Sequence, residues 1–104
     1  MDNRELVDGL PGAELVTAGL ADYEAGRRTA AGLLVAMAEG RLRRAGLLSG
    51  PSQDWPDPEL ALYRELQQQG GDAYSRYNAL RCELDSFLAG LSRRLARASA
   101  PGRE

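Results

Sequence analysis

From Tyr74 onward, large side chains return at spacings of three, four or one residue: Tyr74, Tyr77, Leu80, Arg81, Leu84, Phe87, Leu88, Leu91 and Leu95. That is the period of one helix face. A strand, whose neighbouring side chains point to opposite sides, would scatter these residues over both of its surfaces. Helical through Leu95, the stripe is about 30 Å long. A chain of 104 residues builds one core, because it has too little buried volume for two. A stripe of this length is therefore either the spine of that core or, in its outer half, a seam for a second chain.

The remainder is also helical in pattern. No segment sustains an alternation rich in Val, Ile and Thr, and isoleucine is absent altogether, whereas Leu, Ala, Glu, Gln and Arg recur at helical spacing. The expected fold is all-α: a compact four-helix domain over residues 1–98, with a proline-rich connector, a long C-terminal amphipathic helix and a flexible tail at 99–104. Pro11 and Gly12 set off a short first segment. A second helix, about Ala13 to Ala25, places Leu15, Val16, Gly19, Leu20 and Tyr23 on one face, and Gly26 stops it. The next helix begins at Arg28 or Thr29, whose hydroxyl suits an N-cap. Ala30 to Ala38 is apolar on every side and belongs at the centre of the fold. Beyond Gly40, RLRRAGL either continues that helix to Gly46 or forms a separate turn.

Residues 49–58, SGPSQDWPDP, hold three prolines and form the clearest connector. Asp57 and Pro58 read as N-cap and first-turn residues of a third helix running to Gln69, with Leu62, Tyr63 and Leu66 toward the core. Gly70 and Gly71 end it, and Asp72 caps the final helix.

The chain has no histidine and one cysteine. Ser/His/Asp and Cys/His nucleophilic systems are therefore excluded within one chain, and so are an intrachain disulfide and a thiolate cluster for zinc or iron–sulfur. No cofactor is expected. Cys82, isolated and off the leucine seam, is an inert thiol. The acidic N-terminus is unlike a secretory signal, and no apolar run reaches membrane-spanning length, so a cytoplasmic location without membrane association is expected. All 13 basic residues are arginine, which fits a GC-rich, bacterial coding sequence and discounts arginine content as evidence for phosphate binding.

Charge is banded. Residues 1–24 sum to −5, 25–50 to +4, 51–74 to −4 and 75–104 to +3, giving the net −2. Alternating signs favour attraction between helical neighbours or subunits over one basic ligand face.

These features predict a small helical protein-interaction or regulatory module, either homodimeric or bound to another protein. Its candidate interaction residues are Trp55, Tyr74, Tyr77, Arg81, Leu84, Phe87, Leu88 and Leu91, with Arg81 expected to pair with Asp85 at i,i+4. Trp55 is either a partner anchor or a lid folded over the bundle. The alternative is anion or nucleic-acid binding through Arg41, Arg43, Arg44, Arg93, Arg94 and Arg97. Both clusters, however, lie near helix C-termini, where positive charge is favourable without a ligand. A helix-turn-helix over residues 13–46 would carry an apolar second helix where base-reading side chains are needed. An enzyme working with carboxylates or arginines is the lowest alternative.

Overall fold

The computed structural model describes residues 3–99, and among them six helices form instead of the expected four. They are α1 (Asn3–Val7), α2 (Ala13–Glu24), α3 (Ala30–Met37), α4 (Glu39–Arg44), α5 (Pro58–Gln69) and α6 (Ala73–Ser99). The all-α class and the long last helix stand; the helix number is corrected at two places. The segment before Pro11 makes a helix of its own. The central helix also breaks at Ala38, whose φ of −110° and ψ of 19° fall outside helical values. The Ala38 amide reaches back only three residues, to the Val35 carbonyl at 3.0 Å, and α4 then starts in a new direction that buries Leu42 completely. The expected tail at 99–104 lies outside the described residues, apart from Ser99 within α6.

Local chemistry accounts for most element ends. At the start of α3, Thr29 Oγ1 accepts from the Gly32 amide at 3.1 Å and donates to Asp22 Oδ2 at 2.6 Å. Arg27 completes the turn with an ion pair to Asp22 Oδ1 at 2.8 Å. At the start of α6, Asp72 Oδ1 accepts from the Ser75 amide at 3.1 Å. The start of α5 departs from expectation. Asp57 occupies the N-cap position ahead of Pro58, but its backbone is left-handed, with φ 44°, and its side chain makes no capping bond. Here proline's missing amide and fixed φ favour the first turn, in place of a carboxylate cap.

These caps make an acid-sensitive feature. The hydrogen bond from Thr29, then that from Arg27, holds the Asp22 carboxyl below its ordinary pKa, and the Ser75 amide and hydroxyl do the same for Asp72. A carboxyl depressed in the folded state stabilises the fold above its unfolded pKa, and that contribution disappears as pH falls through the lower folded value. Thermal stability is therefore expected to be flat from neutrality to about pH 4 and to fall below it. In Asp22→Asn the acid limb should be shallower; an unchanged limb would remove Asp22 from the account.

α3 is the hub. Gly32, Leu33, Leu34 and Val35 are all buried in succession, so the helix has no solvent face over its middle. It packs closely on α2, on α5 and more lightly on α6. The α2–α3 approach depends on Gly19. A Cβ there would fall on the carbonyl oxygen of Ala31 and 2.6 Å from Val35 Cγ2. α6 then runs along the assembly, with Leu84, Phe87, Leu88 and Leu91 each at most 5% exposed. Its length, about 40 Å for 27 residues, is the main extension in a molecule measuring 52 × 28 × 19 Å.

Candidate functional site

The side chains proposed as a self-association seam are largely used inside the protomer. Leu84, Phe87, Leu88 and Leu91 belong to the core shared with α1–α5, so the α6 stripe is an internal spine over that stretch.

Trp55 folds back as a lid. Its ring meets buried Tyr23 edge-on, with centroids 5.2 Å apart, and the exposed Arg28 has its guanidinium carbon 5.7 Å from the Trp55 centroid. Tyr23 holds the connector by two further bonds: its hydroxyl accepts from the Gln53 amide at 2.9 Å, and its carbonyl accepts from Gln53 Nε2 at 2.8 Å. Arg43 secures the near end of the same connector, donating to the Gly50 carbonyl at 2.5 Å while its Nε pairs with Glu39 at 2.8 Å. Burial raises the Glu39 pKa, but hydrogen bonds led by Arg43 outweigh it and leave the carboxyl below its ordinary value.

The arginine clusters disperse. Arg94 reaches across the fold to the end of α1, where Nη1 lies 3.0 Å from the Glu5 carbonyl, 3.1 Å from that of Leu6 and 2.6 Å from that of Asp8. A five-residue helix is too short to persist alone, so this guanidinium, together with burial of Leu6 and Val7, docks it. Arg94→Met is expected to lower stability by about 1.5–3 kcal/mol and to raise amide exchange in α1 more than in α5. Equal protection of α1 in the variant would refute the docking role. Arg41 donates to Ser92 Oγ at 3.0 Å, whereas Arg44, Arg93 and Arg97 face solvent. A cavity of about 550 Å³ gathers Arg41, Arg44 and Arg81, but Asp57, Glu59 and Asp85 line it as well, so no concentrated positive surface results. α3, the second helix of the helix-turn-helix considered over residues 13–46, has Gly32, Leu33, Leu34 and Val35 buried.

Tyr74, Tyr77 and Arg81 do come together, on the outer side of the α5–α6 pair. Arg81 pairs with Glu59 across the two helices at 2.6 Å, not with Asp85 as the i,i+4 spacing suggested. The Tyr77 hydroxyl donates to the same Glu59 oxygen at 2.5 Å and accepts from Arg81 Nη1 at 3.1 Å. Burial, followed by the bond to the carboxylate, raises the Tyr77 pKa, so the hydroxyl keeps its proton at neutral pH. The Tyr77 ring meets Tyr63 edge-on at 5.9 Å, and the Arg81 guanidinium carbon is 5.9 Å from the Tyr77 centroid. This network fixes α5 against α6 and holds two aromatic rings at the surface.

Beside them lies a groove of about 420 Å³ lined by Asp57, Glu59, Leu60, Tyr63, Tyr74 and Tyr77. Leu60 is 43% and Tyr74 65% exposed, and among the described residues these are the two large hydrophobic side chains left out of the fold. Both open on this one groove. The sequence reading picked Tyr74 and Tyr77 but missed Leu60. The available signal was a leucine two positions from Leu62, off the face that Leu62 and Leu66 turn inward.

Among the described residues no group of three or more His, Cys, Asp or Glu side chains is placed to hold a metal ion, and no helix is long and apolar enough to cross a membrane. Comparison with protein-family models, with curated proteins and with solved structures found no match.

Proposed function

We propose that the chain is a protein-interaction module whose docking surface is the aromatic groove between α5 and α6. The observation that carries this reading is the convergence of exposed Leu60 and Tyr74 on one groove, beside the edge-on Tyr63–Tyr77 pair. Scattered surface apolar residues are ordinary; clustered ones beside an aromatic wall are a feature of binding sites. Tyrosine suits the task because its ring adds contact area with little rotamer entropy and its hydroxyl tolerates water in the free state. The expected interaction surface thus moves from the Leu84–Leu91 seam to the rim residues Tyr74 and Tyr77, with Leu60 and Tyr63 added. Trp55 supports the connector that sets the start of α5.

The test is a photo-crosslinking residue at position 74, introduced in the cell of origin, followed by purification of the linked protein and titration against the unmodified chain. Wild type is expected to form a defined complex that Leu60→Ser/Tyr74→Ser weakens at least about tenfold while helicity is unchanged. A complex indifferent to the double variant, or no linked protein, rules against the groove.

A further inference from the structure

We infer that the groove receives a basic segment of a partner protein, with an arginine or lysine side chain set over the Tyr74 ring and an apolar neighbour against Leu60. This rests on the groove being the docking surface and specifies its occupant. Among the described residues, three tyrosines and two carboxylates line the groove and no basic side chain does. Aromatic faces carry negative charge at their centres, so rings beside carboxylates form a place for a cation. Arg64, the one base of residues 51–74, does not line the groove; with Arg28 it lines the neighbouring cavity, which shares Asp57 and Leu60 with the groove.

The protein displays the arrangement beside the groove, where the Arg81 guanidinium lies near the Tyr77 ring and bonds Glu59. Tyr74 has no such cation among the described residues. The nearest arginine in sequence, Arg76, is turned to Gln69 Oε1 at 2.6 Å and to the Gly70 carbonyl at 3.2 Å. An incoming guanidinium or ammonium over Tyr74 would repeat the inner pattern with Asp57 nearby.

Charge favours a cationic occupant over the others. Glu59 already has Arg81 as its counter-ion, but an acidic partner would face Asp57, and a purely apolar one would cover that carboxylate without bringing it a cation, which burial penalises. Two copies joined groove to groove would bring like charges together. A copy joined through its exposed Arg93 and Arg97 would pair two different patches, an assembly that solution mass reports.

The experiment is selection of short peptides from a random display library against the full chain, then fluorescence anisotropy of the synthesised peptides at low and moderate salt. Arginine- or lysine-containing peptides with an adjacent apolar residue are expected. Their binding should weaken with salt, by about threefold in Asp57→Asn and by about tenfold in Tyr74→Leu, while Tyr74→Phe retains it. Tyr74→Leu keeps apolar area and loses the ring face, and Tyr74 lies on the surface, so folding does not confound the readout. Selected peptides without basic residues that still depend on Tyr74 would overturn the basic occupant and leave the groove standing. Peptides indifferent to Leu60→Ser and Tyr74→Leu, or no selected peptides, would overturn both. A concentration-stable dimer by light scattering that Leu60→Ser dissolves would assign the groove to a second copy and overturn the basic segment.

Discussion

Replacing Phe87 with alanine is expected to remove about 3–5 kcal/mol of stability, with no change in solution mass. Phe87 is fully buried between Leu84 and Leu88 on the α6 spine, and the wall of a cavity opened in a helical core relaxes only partly. Domains of this size are stable by about 5–15 kcal/mol, so the variant should unfold at much lower denaturant concentration and sit close to the limit of folding. The comparison is Tyr74→Ser, whose side chain is 65% exposed. Its midpoint should move little, because surface changes stay within about 0.5 kcal/mol. Both residues lie on the stripe that the sequence presents as continuous, so the pair measures where spine ends and surface begins. Urea unfolding of the two variants side by side gives the answer. Similar midpoints would mean that Phe87 is not core, and a loss of dimer mass on changing Phe87 would restore the intermolecular seam.

Gly19→Val should be nearly as damaging, by about 3 kcal/mol or more, for the opposite reason. The glycine lies where α2 approaches α3, and an added Cβ meets the Ala31 carbonyl oxygen and the Val35 methyl group. Backbone atoms of a packed helix cannot step aside as a flexible side chain can, so α2 must back away and uncover Val16 and Tyr23. Tyr23 also holds Gln53 and Trp55, so near-ultraviolet circular dichroism from Trp55 should change along with stability. Gly90→Ala is the control: the one close approach of its new methyl is to the far end of the Leu10 side chain, 2.7 Å away, which can rotate, and Arg93 Nη2 at 3.8 Å is in ordinary contact. If Gly19→Val unfolds with the same midpoint as Gly90→Ala, the close approach of α2 and α3 is not what the fold depends on.

The comparison of seam and groove shows how far pattern reading reaches. Periodicity assigned Leu84, Phe87, Leu88, Leu91, Tyr74 and Tyr77 to one helix face, and all lie in α6. It gave no means of telling that the face is covered from Leu84 onward and open at Tyr74, because covering depends on where α5 and α3 end. The arginines behave likewise. Arg93, Arg94 and Arg97 form one cluster in sequence, yet Arg94 alone turns to the α1 carbonyls while the other two stay in solvent. The break at Ala38 had only the weak sign of Gly40 nearby, and its direction follows from the place available to Leu42.

The sequence by itself determined the helical class, the presence of a long last helix, the approximate span Pro58–Gln69 and the Thr29 and Asp72 caps, while α6 itself runs on past Leu95 to Ser99. These are settled by groups three or four residues apart, whose hydrogen bonds and side-chain faces follow from one helical turn. The tertiary structure alone decided that Arg81 pairs with Glu59, that Arg94 docks α1, and that Leu60 and Tyr74 share one uncovered groove. Each of these joins residues from different elements, and their meeting is fixed by how six helices cross and where the shared core runs out of apolar surface to cover.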